Sequence, residues 1–153
     1  MKYQSVNHMN DFAFHDSVWK FVLYEAGTLV VRATELSVCA DALQNLSGCD
    51  MEIETARITF EGIEILSHKS SDEWKEEGNG GSADDAKTGF FREIRRPEGI
   101  TVYSLEVCAD GSCLLCAQGD GPFFETVFSA RCMRIEWDAL LRPAWYIREP
   151  RKE

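Results

Sequence analysis

The stretch from Asp11 to Val38, DFAFHDSVWKFVLYEAGTLVVRATELSV, predicts a long β-hairpin and decides the fold class. Its two strand candidates, Ser17 to Glu25 and Thr28 to Val38, are rich in the β-branched and aromatic residues that favour strands. Ala26-Gly27 between them is predicted to be a two-residue turn. Both faces of this hairpin are largely apolar, so we expect the fold to cover it on both sides.

A turn at Ala26-Gly27 also fixes the register of the hairpin, because the strands pair outward from the turn. Three cross-strand pairs follow from it: Glu25 with Thr28, Tyr24 with Leu29, and Val22 with Val31.

Further strand signals recur at hairpin spacing along the chain. Asp110-Gly111 predicts a second tight turn, and Phe123 to Trp137 is the longest strand candidate, with a bulge near Ala130. Ala144 to Ile147 is predicted to be an edge strand. About seven to nine strands result, which predicts a mainly-β single domain over residues 1–153. We expect an antiparallel sandwich or a partly open barrel with one or two short helices.

The segment from His68 to Gly89, HKSSDEWKEEGNGGSADDAKTG, breaks the strand pattern. Glycine, serine and acidic residues dominate it, and such a composition is typical of a mobile surface loop. Trp74 is the exception within it, since an aromatic residue in a loop often docks on a surface, and we predict it as a binding residue. Phe90 to Arg96 is then predicted to be a short strand.

The charge balance limits the classes of partner. The chain has 16 Lys and Arg against 26 Asp and Glu, a formal charge of −10. This field repels phosphate backbones and disfavours nucleic acid, whereas it suits a basic protein partner or simply keeps the chain soluble. No apolar run approaches the roughly 20 residues of a membrane helix, and no signal peptide pattern is present. The expectation is a cytoplasmic protein without membrane contact.

Cys108, Cys113 and Cys116 are the residues with the most metal-like spacing. A turn at Asp110-Gly111 would place Cys108 opposite Cys113 and Cys116 opposite Leu105. Strand alternation then directs Cys116 away from the other two thiols, which argues against a metal site. Cys108 and Cys113 are predicted to form a disulfide only in an oxidising compartment. The acidic row Asp50, Glu52 and Glu54 is read as a solvated strand face rather than a calcium site.

His15-Asp16 is the one His-Asp pair and a candidate for binding or acid-base chemistry. Adjacent residues of an extended chain point to opposite sides, so the pair is expected not to form a dyad but to close the turn before the first long strand. Arg131 and Arg134 are the other candidate binding residues. No nucleophile, nucleotide or zinc motif is present. No catalytic residue, metal or cofactor is therefore predicted, and the balance is against an enzyme.

Two short motifs carry a family resemblance. Phe14-His15-Asp16-Ser17 stands ahead of a strand, and Ile135-Glu136-Trp137-Asp138 is followed by Ala144-Trp145-Tyr146. Together they resemble small bacterial β-rich domains of unknown function, over the first and last quarters of the chain. The resemblance implies a β-rich fold and no particular activity. In size and acidity the chain also looks similar to some immunity proteins of bacterial toxin systems.

Three functional hypotheses follow. The first is a non-enzymatic cytosolic protein-interaction module, immunity-like, that masks a basic protein partner. The second is a small-molecule-binding or enzymatic pocket lined by aromatic residues near His15. The third is homo-oligomerisation through the predicted edge strand from Ala144 to Ile147.

Overall fold

The computed structural model describes residues 1–73 and 82–148. Short helical turns of 3-10 type lie at Met9–Asp11 and Ser71–Glu73. The strands and α-helices follow in chain order: β1 Tyr3–Val6, β2 Phe12–Ala13, β3 Ser17–Glu25, β4 Thr28–Thr34, β5 Ser37–Val38, β6 Met51–Ile53, β7 Ala56–Glu61, β8 Glu64–Ser70, α1 Ala83–Ile94, β9 Ile100–Val107, β10 Cys113–Gln118, β11 Phe123–Ser129, β12 Cys132–Trp137, β13 Leu140–Pro143 and α2 Trp145–Arg148.

The strands form two antiparallel sheets, and the predicted class, a mainly-β sandwich with short helices, is confirmed. The large sheet has nine strands in the order β1-β12-β7-β4-β3-β9-β10-β11-β8, and the small one has four in the order β13-β6-β5-β2. The described residues contain more strands than the seven to nine predicted. The small sheet consists of pieces of two to four residues, too short to show a periodicity in the sequence.

Two long segments bend the large sheet on itself. Residues 56–70 and 123–137 pair antiparallel on both sides of a corner, which lies at Gly62 in one segment and at Ala130-Arg131 in the other. The corners meet, because the Arg131 N–H donates to the Glu61 carbonyl at 2.8 Å. The predicted strand from Phe123 to Trp137 is thus real, with an interruption where the bulge was expected.

The interior of the sandwich is built from aromatic side chains that reach across the bend. The ring centroids of Trp19 and Phe60 are 5.7 Å apart, and those of Phe60 and Phe128 are 5.4 Å apart in an edge-to-face arrangement. All three side chains are about 1% exposed. Such contacts add to the hydrophobic effect of burying large apolar surfaces, so this cluster anchors the two halves of the sheet.

The hairpin of β3 and β4 turns at Ala26 and Gly27, whose φ angles of +51° and +79° fit a two-residue turn. Next to the turn the pairing is as predicted, but a bulge then places Phe21 rather than Val22 opposite Val31. The bulge leaves Val22 and its neighbour Leu23 exposed. The expectation that both faces are covered is therefore wrong at this end of the hairpin.

Helix α1 lies where the sequence predicted the end of a loop and a short strand from Phe90 to Arg96, so both predictions are wrong there. The predicted loop from His68 to Gly89 is strand up to Ser70 and helix from Ala83 in its described parts, while Trp74 lies outside the described residues. Ser82 and Asp85 form a capping box at the start of the helix. The buried side chains Ala86, Phe90, Phe91 and Ile94 recur at helical spacing and face the fold.

The C-terminal elements also differ from expectation. Trp145–Arg148 is helix α2, so the predicted edge strand at Ala144 to Ile147 is wrong.

In the second hairpin, the Cys108 N–H donates to the Ser112 carbonyl, and the Asp110 carboxylate accepts from the Ser112 N–H and hydroxyl. This longer loop shifts the predicted register by one residue.

The register shift changes the neighbours of the cysteines. Cys113 lies opposite Val107 rather than Cys108, and Cys116 lies opposite Ser104 rather than Leu105. Cys113 is buried whereas Cys108 is exposed, and all six cysteines are free. Cys113 and Cys116 are three residues apart on one strand and so face opposite sides of the sheet, as predicted.

Candidate functional site

His15 and Asp16 lie together, contrary to expectation. The backbone at Asp16 has a φ of +68°, so the chain is not extended there and both side chains turn to one side. His15 Nε2 is 3.5 Å from Asp16 Oδ2, and His15 Nδ1 is 3.0 Å from the Tyr103 carbonyl oxygen. The side chains are 61% and 48% exposed, which leaves the pair in contact with solvent. Water screens such a pair, and its energy is small.

The residues around the pair agree with a structural role at the start of β3. The Asp16 N–H donates to the Val102 carbonyl, and the buried Ser17 hydroxyl donates to the Phe14 carbonyl at 2.7 Å. Asp16 also lines a cavity of about 260 Å³, together with Glu35, Glu52, Arg142 and Trp145.

The two predicted arginines lie at the corner of the bent sheet. Arg134 Nη2 is 3.3 Å from Glu61 Oε1, and the Arg134 Nε has no hydrogen-bond partner among the described residues. The Arg131 side chain packs over Gly62, where a Cβ atom would meet the Arg131 Nε at 3.0 Å. Their contacts within residues 1–73 and 82–148 do not include His15 or Asp16. The structure therefore does not bring the predicted binding residues together at one site.

A more distinctive arrangement lies in residues 39–50, here called the 39–50 loop. Its centre is Asn45, which is 5% exposed. The Asn45 Nδ2 lies within 2.8–3.2 Å of the carbonyl oxygens of Val38, Cys39 and Cys49, and its Oδ1 accepts from the Ser47 N–H and hydroxyl. A buried amide that is satisfied in this way gives the loop a defined shape through polar contacts.

Two leucines flank this buried amide and point into solvent. Leu43 is 91% exposed and Leu46 is 93% exposed, the highest values among the large apolar side chains that the structure describes. Single exposed apolar residues are common, but two at a loop tip with a polar frame are not explained by packing within the chain. Exposed apolar surface that is rimmed by polar residues is typical of interaction surfaces.

Asp50 joins the 39–50 loop to the C-terminal helix. Its Oδ1 accepts from the Ala40 N–H at 2.7 Å, its Oδ2 accepts from the Tyr146 hydroxyl at 2.6 Å, and its carbonyl accepts from the Ala144 N–H at 2.9 Å. Helix α2 carries three further apolar side chains that are at least 38% exposed: Trp145, Tyr146 and Ile147. We call these three residues, with Leu43 and Leu46, the docking surface.

The surroundings of the docking surface are acidic. Burial raises the pKa of the Cys39 thiol, and the negative charges of Asp50, Asp41 and Asp11 raise it further. Partial burial beside Asp50 also raises the pKa of Tyr146, and the hydrogen bond that its hydroxyl donates to Asp50 raises it further. Three carboxylates therefore lie close to Cys39 in this loop.

These residues were not predicted from the sequence. The signal for them is a pair of leucines in the short segment Ala40 to Ser47, ADALQNLS, which precedes Gly48. Their exposure depends on how Asn45 folds the segment, and no periodicity encodes that.

Other classes of site have no counterpart in the residues that the structure describes. No group of three or more His, Cys, Asp or Glu side chains within residues 1–73 and 82–148 could hold a metal ion. Within the same residues, no helix has the length and apolar composition needed to cross a membrane.

Comparison of the chain with protein-family models, with curated proteins and with solved structures found no match. The resemblance to small bacterial β-rich domains stays a prediction.

Proposed function

We propose that this chain is a protein-interaction module whose docking surface binds a basic protein partner. The observation that carries the proposal is the exposure of Leu43 and Leu46 on either side of the buried, hydrogen-bonded Asn45. Ordering this loop costs conformational entropy. In the isolated chain, two leucines exposed to water provide no burial energy that would offset this cost. A partner that buries both leucines would offset this cost.

The charge of the chain supports a basic partner. The net charge is −10, and Asp11, Asp41 and Asp50 lie close enough to Cys39 to raise its pKa. Opposite charges around an apolar contact speed association and exclude partners of the same sign. Aromatic residues such as Trp145 and Tyr146 are enriched where such contacts are tight.

The proposal includes a cytosolic setting and an immunity-like role, in which the acidic module masks a basic protein of the same cell. The six free cysteines support a reducing compartment. The immunity-like role rests on size and acidity, and a toxin gene beside the gene for this chain would support it further.

The test is a quantitative capture of partners from the native host by the purified chain. In the test variant, Leu43→Ser and Leu46→Ser are combined, which leaves the net charge unchanged. The matched control combines Leu66→Ser and Val107→Ser, two half-exposed apolar residues on β8 and β9.

The expected result is a basic protein that wild type and control retain at low salt and that the test variant loses. Capture should weaken as salt rises, since charge contributes to association. Equal capture by all three proteins, or a captured partner that is acidic, would contradict the proposal.

A second candidate, small-molecule binding beside His15, is favoured by the cavity of about 260 Å³ that Asp16 and Trp145 line. The volume is slightly below the range of typical ligand pockets. A fragment screen that follows Trp145 by fluorescence, with Trp145→Phe as control, would test it. Absence of any saturable signal that depends on Trp145 would remove this candidate.

A further inference from the structure

Strand β1 is an edge of the large sheet, and within residues 1–73 and 82–148 it pairs only with β12. The backbone of Gln4 faces away from β12, because both of its polar groups bond to the 39–50 loop. The Gln4 N–H donates to Gln44 Oε1 at 2.9 Å, and Gln44 Nε2 donates to the Gln4 carbonyl oxygen. In an antiparallel ladder such outward groups recur at every second residue, so Val6 presents its N–H and carbonyl to the same edge.

The carboxamide of Gln44 therefore occupies the place of one residue of a neighbouring strand. It offers one acceptor and one donor, the same pair that a peptide unit offers. A side chain on an exposed loop holds this position weakly, because fixing it costs rotamer entropy and each hydrogen bond has a small net energy. A strand that bonded to Gln4 and Val6 in succession would replace it with more contacts.

A cleft of about 230 Å³ runs beside this edge, lined among others by Val6, Phe12, Leu43 and Trp137. Trp137 is 1% exposed, and its indole N–H has no hydrogen-bond partner among the described residues. The cleft thus offers an apolar wall next to the edge of β1.

We infer that the partner binds by adding an extended, basic segment to the edge of β1 and displacing Gln44. This inference rests on the proposed function and specifies how the partner is recognised. Strand addition draws its affinity from backbone hydrogen bonds and its specificity from alternate side chains. One side of the added segment places apolar residues in the cleft and against Leu43, while basic residues meet the acids nearby.

Three acids flank the edge. Asp11 lines the cleft, Glu136 is the cross-strand neighbour of Gln4 on β12, and the Asp138 carboxylate accepts from the Lys2 N–H. A second copy of this chain is disfavoured as the occupant, because two chains of charge −10 repel each other.

The probe is a fluorescein-labelled peptide with the repeating sequence Lys-Val-Lys-Val-Lys-Val-Lys. One matched peptide carries an N-methyl group on every internal residue, which preserves charge but blocks backbone pairing along both edges. The other replaces every Lys with Glu. Binding is measured by fluorescence anisotropy, and the amide signals of Gln4 and Val6 are followed by NMR.

Two substitutions at Gln4 form the decisive pair of variants. Gln4→Pro removes the outward N–H without touching the ladder to β12, a position where an edge strand tolerates proline. Gln4→Ala keeps the N–H and is the control. Gln44→Ala removes the competing carboxamide. We expect Gln4→Pro to weaken binding of the Lys peptide up to about tenfold relative to Gln4→Ala, since one backbone hydrogen bond is lost. Gln44→Ala should bind it several-fold more tightly than wild type.

Each other outcome overturns the inference. If Gln4→Pro and Gln4→Ala bind the Lys peptide equally, or the N-methylated peptide binds as well as its parent, strand addition is wrong. The same holds if no Lys peptide binds to wild type or to Gln44→Ala, or if the Glu peptide binds equally. If Gln44→Ala dimerises in light scattering, a second copy occupies the edge. The proposed function is tested separately by the capture experiment. It is wrong if the variant with Leu43→Ser and Leu46→Ser still captures the partner that wild type captures.

Discussion

The centre of the bent sheet and the 39–50 loop place the same kind of residue in opposite surroundings. Trp19, Phe60 and Phe128 contact one another and are about 1% exposed, whereas Leu43 and Leu46 are more than nine-tenths exposed. At the centre, apolar contacts hold the structure and exclude water. In the loop, the hydrogen bonds of Asn45 stabilise the structure, and the apolar side chains of Leu43 and Leu46 remain exposed to solvent. The difference indicates that the centre provides stability and that the loop provides a surface for binding.

The largest expected effect is at the centre. Phe60→Ala should lower the free energy of unfolding by about 3–5 kcal/mol, because it removes a buried ring and leaves a cavity between β7 and β11. Phe123→Ala, at an exposed phenylalanine on the neighbouring part of β11, is the control and should cost about 1 kcal/mol or less. Urea unfolding followed by tryptophan fluorescence gives both values. Similar losses in the two variants would mean that the rings across the bend do not anchor the fold.

Asn45→Ala should lower the free energy of unfolding by about 1–3 kcal/mol, since it removes the buried amide that donates to the carbonyls of residues 38, 39 and 49. Asn10→Ala, at an exposed asparagine, is the matched control and should change little. The same urea titration measures both. An effect below that of Asn10→Ala would show that the loop does not depend on the hydrogen bonds of Asn45, and the contrast with the centre would disappear.

Tyr146→Phe tests the link between the loop and α2. At pH 7 the loss of the hydrogen bond to Asp50 should cost about 0.5–1.5 kcal/mol. The pKa of Tyr146 is raised in the folded chain, chiefly by burial and then by this hydrogen bond. Its stabilising contribution is therefore complete below pH ~10, the ordinary tyrosine value, and is lost as the pH rises above that value.

The measurement is the urea midpoint of both proteins at several pH values on either side of the ordinary tyrosine pKa. The stability gap between wild type and Tyr146→Phe should narrow at the alkaline end, because only wild type carries an ionisable group at this position. A gap that is constant over the whole range would mean that Tyr146 titrates alike in the folded and unfolded chains.

The smallest effect on stability is expected at the leucines. The combined Leu43→Ser and Leu46→Ser substitutions should change the free energy of unfolding by about 0.5 kcal/mol or less, because little apolar surface leaves the interior. The measurement is the same urea titration, with Asn45→Ala as the reference for damage to the loop. A loss as large as that of Asn45→Ala would show that the leucines support the fold, and the docking surface would lose its basis.

Much of the sandwich could be predicted from local chemistry. The turn at Ala26-Gly27 and the long strand of residues 123–137 follow from residue types and alternation, which act over a few positions. The bulge at Val22 and the longer loop around Asp110 could not, since each is set by a partner strand or by a side-chain hydrogen bond. Helix α1 was predictable, because the capping box at Ser82 and the spacing of its buried residues are both in the sequence.

The candidate site was less accessible to sequence reasoning. His15 and Asp16 drew attention as residue types, and their contact depends on a left-handed backbone at Asp16 that its sequence neighbours do not require. The contacts between Gln44 and Gln4 join segments 40 positions apart. No motif records such a contact, and the exposure of Leu43 and Leu46 emerges only once the loop has a shape.

The position of β1 has a consequence for how the chain folds. Lys2 and Asp138 are hydrogen-bonded although they are 136 positions apart, and the Met133 N–H donates to Asn7 across 126 positions. Loops of this length close slowly, and the N-terminal strand has no partner during synthesis until β12 has left the ribosome. Until then its backbone groups are open to any passing strand. The arrival of β12 thus ends the period in which this side of β1 is open to pairing with another chain.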